Sequence, residues 1–374
     1  MKKQRGYLVM PPETDLFYSI EIALGIEVGL IILIVIALSF LHLFSSRKFK
    51  RDQEADKMLR ESLLKAITEN QPPEKSTFEP HLRSLQVVVQ VIRELNGKIK
   101  GAFWRKVKEL ILNEWMGDSI YRALCARDWK KKSWALQALA LYPKKEVEER
   151  VIALLKDKVP AVRFSAATAL LQIKTQEGIN ALLQVMAEEE TYARYPYRDL
   201  LVTGDSEIFT YVANQYRDSN CVNVRISALE VLSQKIGFIK VDLVKKDLES
   251  AHPELTWWAL RALENCPSEE SVAILEKYAK EEKDERLRSI AIQSLGIIMD
   301  RKALPLFEQL LKDPSQSIRT QAAIGLKKLG SVGLSVLKNQ TEEKHKEAFQ
   351  AARFALSLPR DALDAQTVKW FRYY

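Results

Sequence analysis

Residues 157–171 of the sequence, DKVPAVRFSAATALL, decide the fold. The stretch places Val162 beside Arg163, and small residues follow at Ala166 and Ala169. The corresponding pair of positions recurs eight times, at Lys131/Lys132, Val162/Arg163, Ala193/Arg194, Val224/Arg225, Leu255/Thr256, Leu287/Arg288, Ile318/Arg319 and Ala348/Phe349. The steps between successive pairs are 31, 31, 31, 31, 32, 31 and 30 residues. A period this constant predicts a tandem repeat, of which the quoted stretch is one unit.

Each unit combines two helical patterns with a short turn between them. A first pattern such as EVEERVIALLKD, residues 146–157, is followed by a turn that often carries a proline such as Pro160. Proline is tolerated in the first turn of a helix because its missing N–H would have no partner there. Alanines on one side of the second helix allow a neighbouring helix to approach closely. Because one helix pair cannot bury its apolar faces alone, the units are predicted to stack.

The stretches VPAVRFSAATALLQI, residues 159–173, and PSQSIRTQAAIGLKKLG, residues 314–330, resemble HEAT-type repeats. The resemblance covers roughly residues 118–359 and is to the short variety found in bacterial membrane-anchored HEAT-like proteins and in bilin-lyase-type repeats. It implies an all-α protein whose C-terminal part is a right-handed α-solenoid of about eight helix pairs. Two units depart from the pattern, since Tyr197 stands where alanine is usual and Thr256 replaces arginine. The resemblance implies a scaffold or binding module, with bilin-attaching lyases as enzymatic exceptions.

Charged residues flank the predicted turns. Aspartates near the ends of first helices are expected to cap turn N–H groups and to meet a guanidinium of the same or an adjacent unit. The predicted structural ladder consists of Asp157, Arg163, Asp218, Arg225, Asp284, Arg288, Asp313 and Arg319.

The segment LGIEVGLIILIVIALSFLHLF, residues 24–44, is apolar over a length that matches a hydrocarbon core of roughly 30 Å. We therefore predict one transmembrane helix over residues 22–45. A cleaved signal peptide is disfavoured because the run exceeds the usual ~7 to 15 apolar residues and acidic residues precede it. Within the segment, Gly25, Glu27 and Gly29 are candidates for packing against a partner helix. Alternatively, Glu27 reaches the membrane interface or stays protonated.

The basic residues lie mostly after this segment. Residues 45–131 contain 19 Lys and Arg against 12 Asp and Glu, a net charge of +7. The whole chain has a net charge of +8. The positive-inside rule then places the N-terminus outside and the repeats in the cytoplasm of a cell with an inner membrane. Three widely spaced cysteines, Cys125, Cys221 and Cys266, suit a reducing compartment. The cluster Arg47, Lys48, Lys50 and Arg51 either binds anionic lipid or acts only as a topology signal.

Composition shifts predict six regions along the chain. They are a short N-terminal tail (1–21), the transmembrane helix (22–45), a basic amphipathic juxtamembrane stalk (46–70), a linker with two adjacent prolines (71–80), the repeat solenoid with N-terminal capping helices (81–358) and an aromatic and basic C-terminal cap (359–374).

Enzymatic motifs are missing from the sequence. The four histidines are scattered and form neither an HExxH motif nor a Cys/His cluster, and the chain has no P-loop and no GxGxxG. We predict no catalytic residue, no cofactor, no metal and no small-molecule substrate. Nucleic acid is not an expected partner either, because the charge beyond Lys132 is nearly balanced.

Aromatic and basic residues concentrate in the two units that depart from the repeat pattern. The candidate protein-binding surface consists of Tyr192, Tyr195, Arg198, Trp257 and Trp258. All lie on second helices, which the HEAT resemblance implies line the concave side, and such residues are preferred interface anchors. The alternative is that Tyr197 and one tryptophan only fill space in the core.

The sequence therefore predicts a membrane-anchored scaffold or adaptor whose cytoplasmic repeats bind a protein partner, including a membrane protein through the apolar helix. One candidate partner is a membrane-associated enzyme complex such as the polysaccharide synthesis machinery, which the family resemblance alone suggests. The alternative is a repeat-based lyase-type enzyme that acts near the membrane.

Overall fold

Helices and irregular segments make up the part of the chain that the computed structural model describes, residues 13–78, 82 and 84–359, and no strand occurs in those ranges. The chain divides into two units, residues 1–120 and 121–374.

The N-terminal unit is built around one long helix. Its elements are α1 (Glu13–Glu69), α2 (Lys75–Phe78), α3 (Leu85–Asn96), α4 (Ala102–Glu109) and a π-helical segment (Leu110–Trp115). The last third of α1 packs against α3 and buries Leu59 and Leu63 completely. The Ser84 hydroxyl caps α3 by accepting a hydrogen bond from the Val87 N–H. The predicted linker follows directly, since α1 ends one residue before Asn70, whose φ of 52° stops the helix.

The predicted membrane segment lies in the first half of α1. The apolar side chains described there, Ile26, Leu30, Ile31, Ile32, Leu33, Ile34, Val35, Ile36 and Leu38, are each more than half exposed. Within the described ranges, no helix is long and apolar enough to cross a membrane. The transmembrane helix predicted over 22–45 is therefore not found among the described residues.

The C-terminal unit consists of helix pairs. The first helices are α5 (Gly117–Leu124), which begins before the unit boundary, α7 (Glu148–Leu154), α9 (Gln176–Glu188), α11 (Ser206–Asp218), α13 (Val241–Leu248), α15 (Glu269–Glu281), α17 (Leu304–Leu310) and α19 (Ser331–Lys338). The second helices are α6 (Trp129–Leu141), α8 (Pro160–Ile173), α10 (Thr191–Val202), α12 (Val222–Leu232), α14 (Pro253–Ala262), α16 (Glu285–Ile298), α18 (Gln316–Lys328) and α20 (Lys346–Ser357). Short 3-10 segments occupy Lys145–Val147, Leu263–Asn265 and Arg301–Ala303.

Stacking of second helices organises this unit. Each second helix from α6 to α18 packs against the next second helix along the chain. Their first residues follow one another at the same steps as the sequence repeat. The arrangement is an α-solenoid of helix pairs, as the repeat predicts.

Small residues bring neighbouring second helices close together. Ala166 and Ala169 on α8 are fully buried. A Cβ atom added to Gly296 on α16 would lie 3.2 Å from the Cα atom of Gly325 on α18. A larger residue at such positions would push the stacked helices apart.

Gly333, on the first helix α19, provides a test of close packing between α19 and α18. An added Cβ atom there would overlap the Leu326 carbonyl oxygen, so Gly333→Ala forces a backbone shift. We expect a loss of about 1 to 3 kcal/mol in the free energy of unfolding. Gly97→Ala is the control, because its nearest neighbour would be 3.6 Å away and its φ of −70° suits alanine. Thermal unfolding of both variants decides, and equal stability would contradict the prediction.

Candidate functional site

Arg225 illustrates how successive repeats are tied together. Its guanidinium donates to the carbonyl oxygens of Tyr216 at 2.9 Å and Ser219 at 3.2 Å in its own unit. It also donates to both carboxylate oxygens of Asp247 in the next unit, at 3.0 and 2.8 Å. The Tyr216 hydroxyl donates to the same carboxylate at 2.5 Å, and its ring lies 4.4 Å from the guanidinium carbon. One side chain therefore fixes the turn of its own unit and the first helix of the following unit.

The contact to an acid of the next unit recurs in other units. Lys132 pairs with Asp157 of the next unit at 2.6 Å, and this contact holds the pKa of the carboxyl below its usual value. Arg163 donates to the Asp157 carbonyl at 3.3 Å and pairs with Glu189 of the next unit at 3.3 Å. Arg288 likewise pairs with an acid of the next unit, Asp313. Each basic side chain thus finds its acid one repeat further along the chain.

The predicted ladder residues differ in the contacts they make. Asp157 and Asp313 cap their turns, by accepting from the N–H groups of residues 159 and 315, and also pair with a base of the preceding unit. Asp284 caps its turn but pairs with Arg286 instead of Arg288, and Asp218 pairs with its neighbour Arg217. Arg319 donates to backbone carbonyls of residues 313 and 314 at 2.7 and 2.8 Å.

Asp247, the acid that holds Arg225, is absent from the sequence-based prediction. It lies 22 residues after its base, whereas Asp157 and Asp313 lie 25 residues after theirs. Asp247 lies within α13, whereas Asp157 and Asp313 come three residues after the ends of α7 and α17, so its offset differs. A search for an acid one repeat ahead, with the offset left variable, would have found it.

The two candidate partners of Arg225 can be separated experimentally. We expect Asp247→Asn to lower the free energy of unfolding by about 3 to 5 kcal/mol, because it leaves a buried guanidinium without its counter-charge. Asp218→Asn is the matched control and should change stability by less than about 0.5 kcal/mol, since its side chain is 64% exposed. Urea unfolding measures both, and an equal loss in the two variants would contradict the assignment.

A second polar cluster joins three consecutive units. Arg194 on α10 contacts Glu254 on α14 at 2.7 Å and Glu230 on α12 at 3.4 Å. The Arg194 contact to Glu254 bypasses the intervening unit, unlike the ladder contacts. At the ladder position of α14, the Thr256 hydroxyl donates to the Asp247 carbonyl at 3.1 Å in place of an arginine. The two irregular units of the sequence are therefore linked directly to each other.

Burial dominates the chemistry of Glu230. Its side chain is only 1% exposed, and desolvation raises the pKa of its carboxyl to about 7. The charges of Arg194 and Arg198 lower this pKa, and the charge of Glu254 raises it. Among the described residues, none forms a hydrogen bond with the Oε2 atom of Glu230.

Three of the five predicted surface residues form one cluster on α10. Tyr192 is 61% exposed, and its ring meets the ring of Tyr195 edge to face at 5.9 Å. The Arg198 guanidinium lies 4.7 Å from the centre of the Tyr195 ring and pairs with Asp199 at 2.7 Å. The cluster thus presents aromatic and cationic groups in fixed positions at the surface.

The two tryptophans belong to the core instead. Trp257 and Trp258 are each 7% exposed, and their rings meet edge to face at 4.8 Å. The sequence-based assignment of both to a binding surface is therefore not supported by their burial. Phe164, which the prediction omitted, is exposed on α8, with its ring 6.3 Å from Tyr197. It follows the ladder position just as Tyr195 does, so the repeat register could have identified it.

The remaining predicted residues lie on α1 in the N-terminal unit. Glu27, Arg47, Lys50 and Arg51 are exposed. The packing around Gly25 and Gly29 and the side chain of Lys48 lie outside the described part of the structure.

Potential metal ligands do not cluster in the described part of the chain. No group of three or more His, Cys, Asp or Glu side chains in the described ranges could hold a metal ion. Cys125, Cys221 and Cys266 are free thiols, and the Arg150 guanidinium donates to the Cys125 sulfur at 2.8 Å.

The fold and its cross-repeat contacts define a class, the α-solenoids of stacked helix pairs. The family model for HEAT repeats matches residues 120–196, 211–296 and 241–327, which together make up just over half of the chain. This chain belongs to the HEAT-repeat family. No curated protein matches its sequence.

Solved structures of the protein Kap121p share the fold. The complex with Pho4p matches with a TM-score of 0.51 at 14% identity, over 75% of this chain and 38% of that one. The complex with Nup53p gives 0.51 at 13% identity over 75% and 38%, and the complex with Ste12p gives 0.50 at 14% over 76% and 38%. The chain spans less than half the length of Kap121p, and at this identity the likeness concerns the fold alone.

Proposed function

We propose that this protein is a membrane-anchored scaffold whose HEAT repeats bind a protein partner through the exposed aromatic cluster on α8 and α10. The observation that carries the proposal is the exposed ring of Tyr192, which contacts half-buried Tyr195 beside Arg198 in a repeat that departs from the family pattern. The Kap121p structures that share the fold were solved in complex with other proteins.

The cluster has the properties of an interface anchor. Aromatic and arginine side chains contribute most of the binding energy at protein interfaces when a partner buries them. Tyr195 is held by Tyr192 on one side and Arg198 on the other, so little side-chain freedom is lost on binding. Exposed Phe164 on the adjacent second helix extends the apolar area.

Substitutions separate binding from folding. We expect Tyr192→Ala to weaken the affinity for the partner by about 2 kcal/mol while leaving the melting temperature nearly unchanged, because the ring is mostly exposed. Trp257→Ala should instead lower the free energy of unfolding by about 3 to 5 kcal/mol, because it empties a core position. Thermal unfolding and binding of both variants should be measured together. Full affinity of Tyr192→Ala would argue against the cluster.

Site-specific photo-crosslinking provides a direct assay of the face used. A photoreactive amino acid at Tyr192 or Phe164 should crosslink to the partner in intact cells. The same amino acid at Thr210, which is exposed on the first helix α11, is the control and should not. Crosslinking of one protein at Thr210 alone would place the binding face on the first helices and contradict the proposal.

We further propose that residues 24–44 anchor the chain in a membrane, with the repeats in the cytoplasm and the basic cluster at an anionic lipid surface. No described helix is long and apolar enough to cross a membrane. The proposal of an anchor is therefore supported by the apolar sequence and by the exposed side chains of α1. Residues 30–36 are apolar and exposed on every side of the helix. A helix that crosses a membrane is likewise surrounded on every side by hydrocarbon. Arg47, Lys50 and Arg51 follow at the position expected for headgroups.

Extraction of membranes with alkaline carbonate tests the anchor. The full chain should remain in the pellet, and a variant without residues 24–44 should move to the supernatant. Recovery of the full chain in the supernatant would contradict membrane insertion.

Topology is tested separately with reporters fused after Tyr374. A cytoplasmic reporter should be active there and an extracytoplasmic one silent. Replacing Arg47, Lys48, Lys50 and Arg51 with glutamate should weaken or invert insertion. Activity of the extracytoplasmic reporter on the unmodified chain would overturn the proposed orientation.

No contact in the described residues favours the polysaccharide synthesis machinery as partner or a lyase-type activity over the general scaffold. Both stay predictions from the family resemblance.

A further inference from the structure

Glu230 is a buried carboxyl whose charge is poorly compensated. Its Oε1 atom is 3.4 Å from Arg194, and that guanidinium is closer to Glu254, at 2.7 Å. Neither the Oε2 atom of Glu230 nor the Nε atom of Arg194 has a hydrogen-bond partner among the described residues. Ionising such a carboxyl is costly because the charge loses its hydration without gaining enough hydrogen bonds.

The charged and titratable groups around Glu230 come from two helices. Arg194, Tyr195 and Arg198 face it from α10, and Glu254 faces it from the start of α14. Helices α9 and α11 also pack against α12, but the charges that act on Glu230 come only from α10 and α14 among the described residues. Any relief of the buried charge therefore requires a change at α10 or α14.

Helix α10 is the weaker of these two covers. It contains Pro196 in its interior, and proline has no N–H to donate to the carbonyl of residue 192. The helical turn that this missing hydrogen bond would close contains Tyr192, Arg194 and Tyr195. The part of α10 that covers Glu230 is thus also the part that carries exposed Tyr192 and half-buried Tyr195.

We propose that Glu230 makes the tyrosine surface of α10 sensitive to protons, so that α10 closes over the protonated carboxyl and loosens when the carboxyl ionises. As a regulation of partner binding, this inference rests on the proposed function. The loosening itself does not depend on any partner.

Thermodynamic linkage gives the direction and the range of the response. Burial raises the pKa of Glu230 from 4.5 to about 7, so the closed state binds a proton that a hydrated carboxyl releases. Opening therefore becomes easier as the pH rises from 4.5 towards 7 and changes little above about pH 8. Between pH 6 and pH 8 the opening constant of α10 should increase about tenfold.

Hydrogen exchange of the full chain, followed by mass spectrometry, tests the proposal. The opening constants of peptides within Thr191–Val202, corrected for the intrinsic effect of pH, should show the tenfold rise. Glu230→Gln should abolish the rise and keep α10 closed at pH 8, because the amide cannot ionise. A flat response in the unmodified chain, or an unchanged rise in Glu230→Gln, overturns the proposal.

Two further variants keep the test decisive if Glu230→Gln folds poorly. Glu264→Gln is the matched control, since Glu264 is also buried, with its pKa raised and its Oε2 atom lacking a hydrogen-bond partner among the described residues. It should leave the response of α10 unchanged. Glu254→Gln removes an exposed charge that raises the pKa of Glu230, so the rise should shift to lower pH. A rise that is lost in Glu264→Gln, or that stays in place in Glu254→Gln, overturns the proposal.

Because these measurements need no partner, they can fail while the binding proposal stands. Conversely, full partner affinity in Tyr192→Ala would overturn the binding surface and leave the proton response of α10 intact.

Discussion

The contact between a basic side chain at the start of one second helix and an acid in the next unit is the interaction on which the repeat domain depends. Stacked helices alone could slide or rotate relative to each other, because apolar packing is not directional. A charge-assisted hydrogen bond has a required geometry, and Arg225 makes two of them to Asp247 as well as two to its own turn. Each such residue therefore sets the position of one unit relative to the next, as the small residues set the distance between them.

Where this interaction is missing, in the units of Arg194 and Thr256, other polar contacts replace it. Thr256 holds its own turn but cannot reach an acid in the following unit. Arg194, two units earlier, instead pairs with Glu254 on the same helix as Thr256. The Arg194 guanidinium also contacts the buried Glu230 of the unit between them. The aromatic residues at the surface and in the core of this region accompany that change. The irregular repeats are therefore a local alternative to the ladder, and the candidate site lies there.

The sequence predicted the organisation of the repeat domain better than its side-chain contacts. The period, the paired helices and the small residues follow from spacing, because stacking requires the same pattern in every unit. The partner of Arg225 could not be assigned, since Asp247 lies within its helix whereas the corresponding acids Asp157 and Asp313 follow theirs. The position of a residue within its repeat was also insufficient to predict whether its side chain is buried. Phe164, Tyr195 and Trp257 occupy the same place in their units, but only the neighbours of Trp257 enclose it.

Helix α1 has a mechanical consequence. It runs without interruption from the apolar segment to Leu59 and Leu63, which are enclosed in the core of the N-terminal unit. The fifteen residue steps from Phe44 to Leu59 span about 22 Å along the helix axis. Each residue of a helix also contributes about 100° of rotation. This rod therefore fixes both the height of the core above the apolar segment and its angular phase around the axis, and a single inserted residue would change the phase far more than the height.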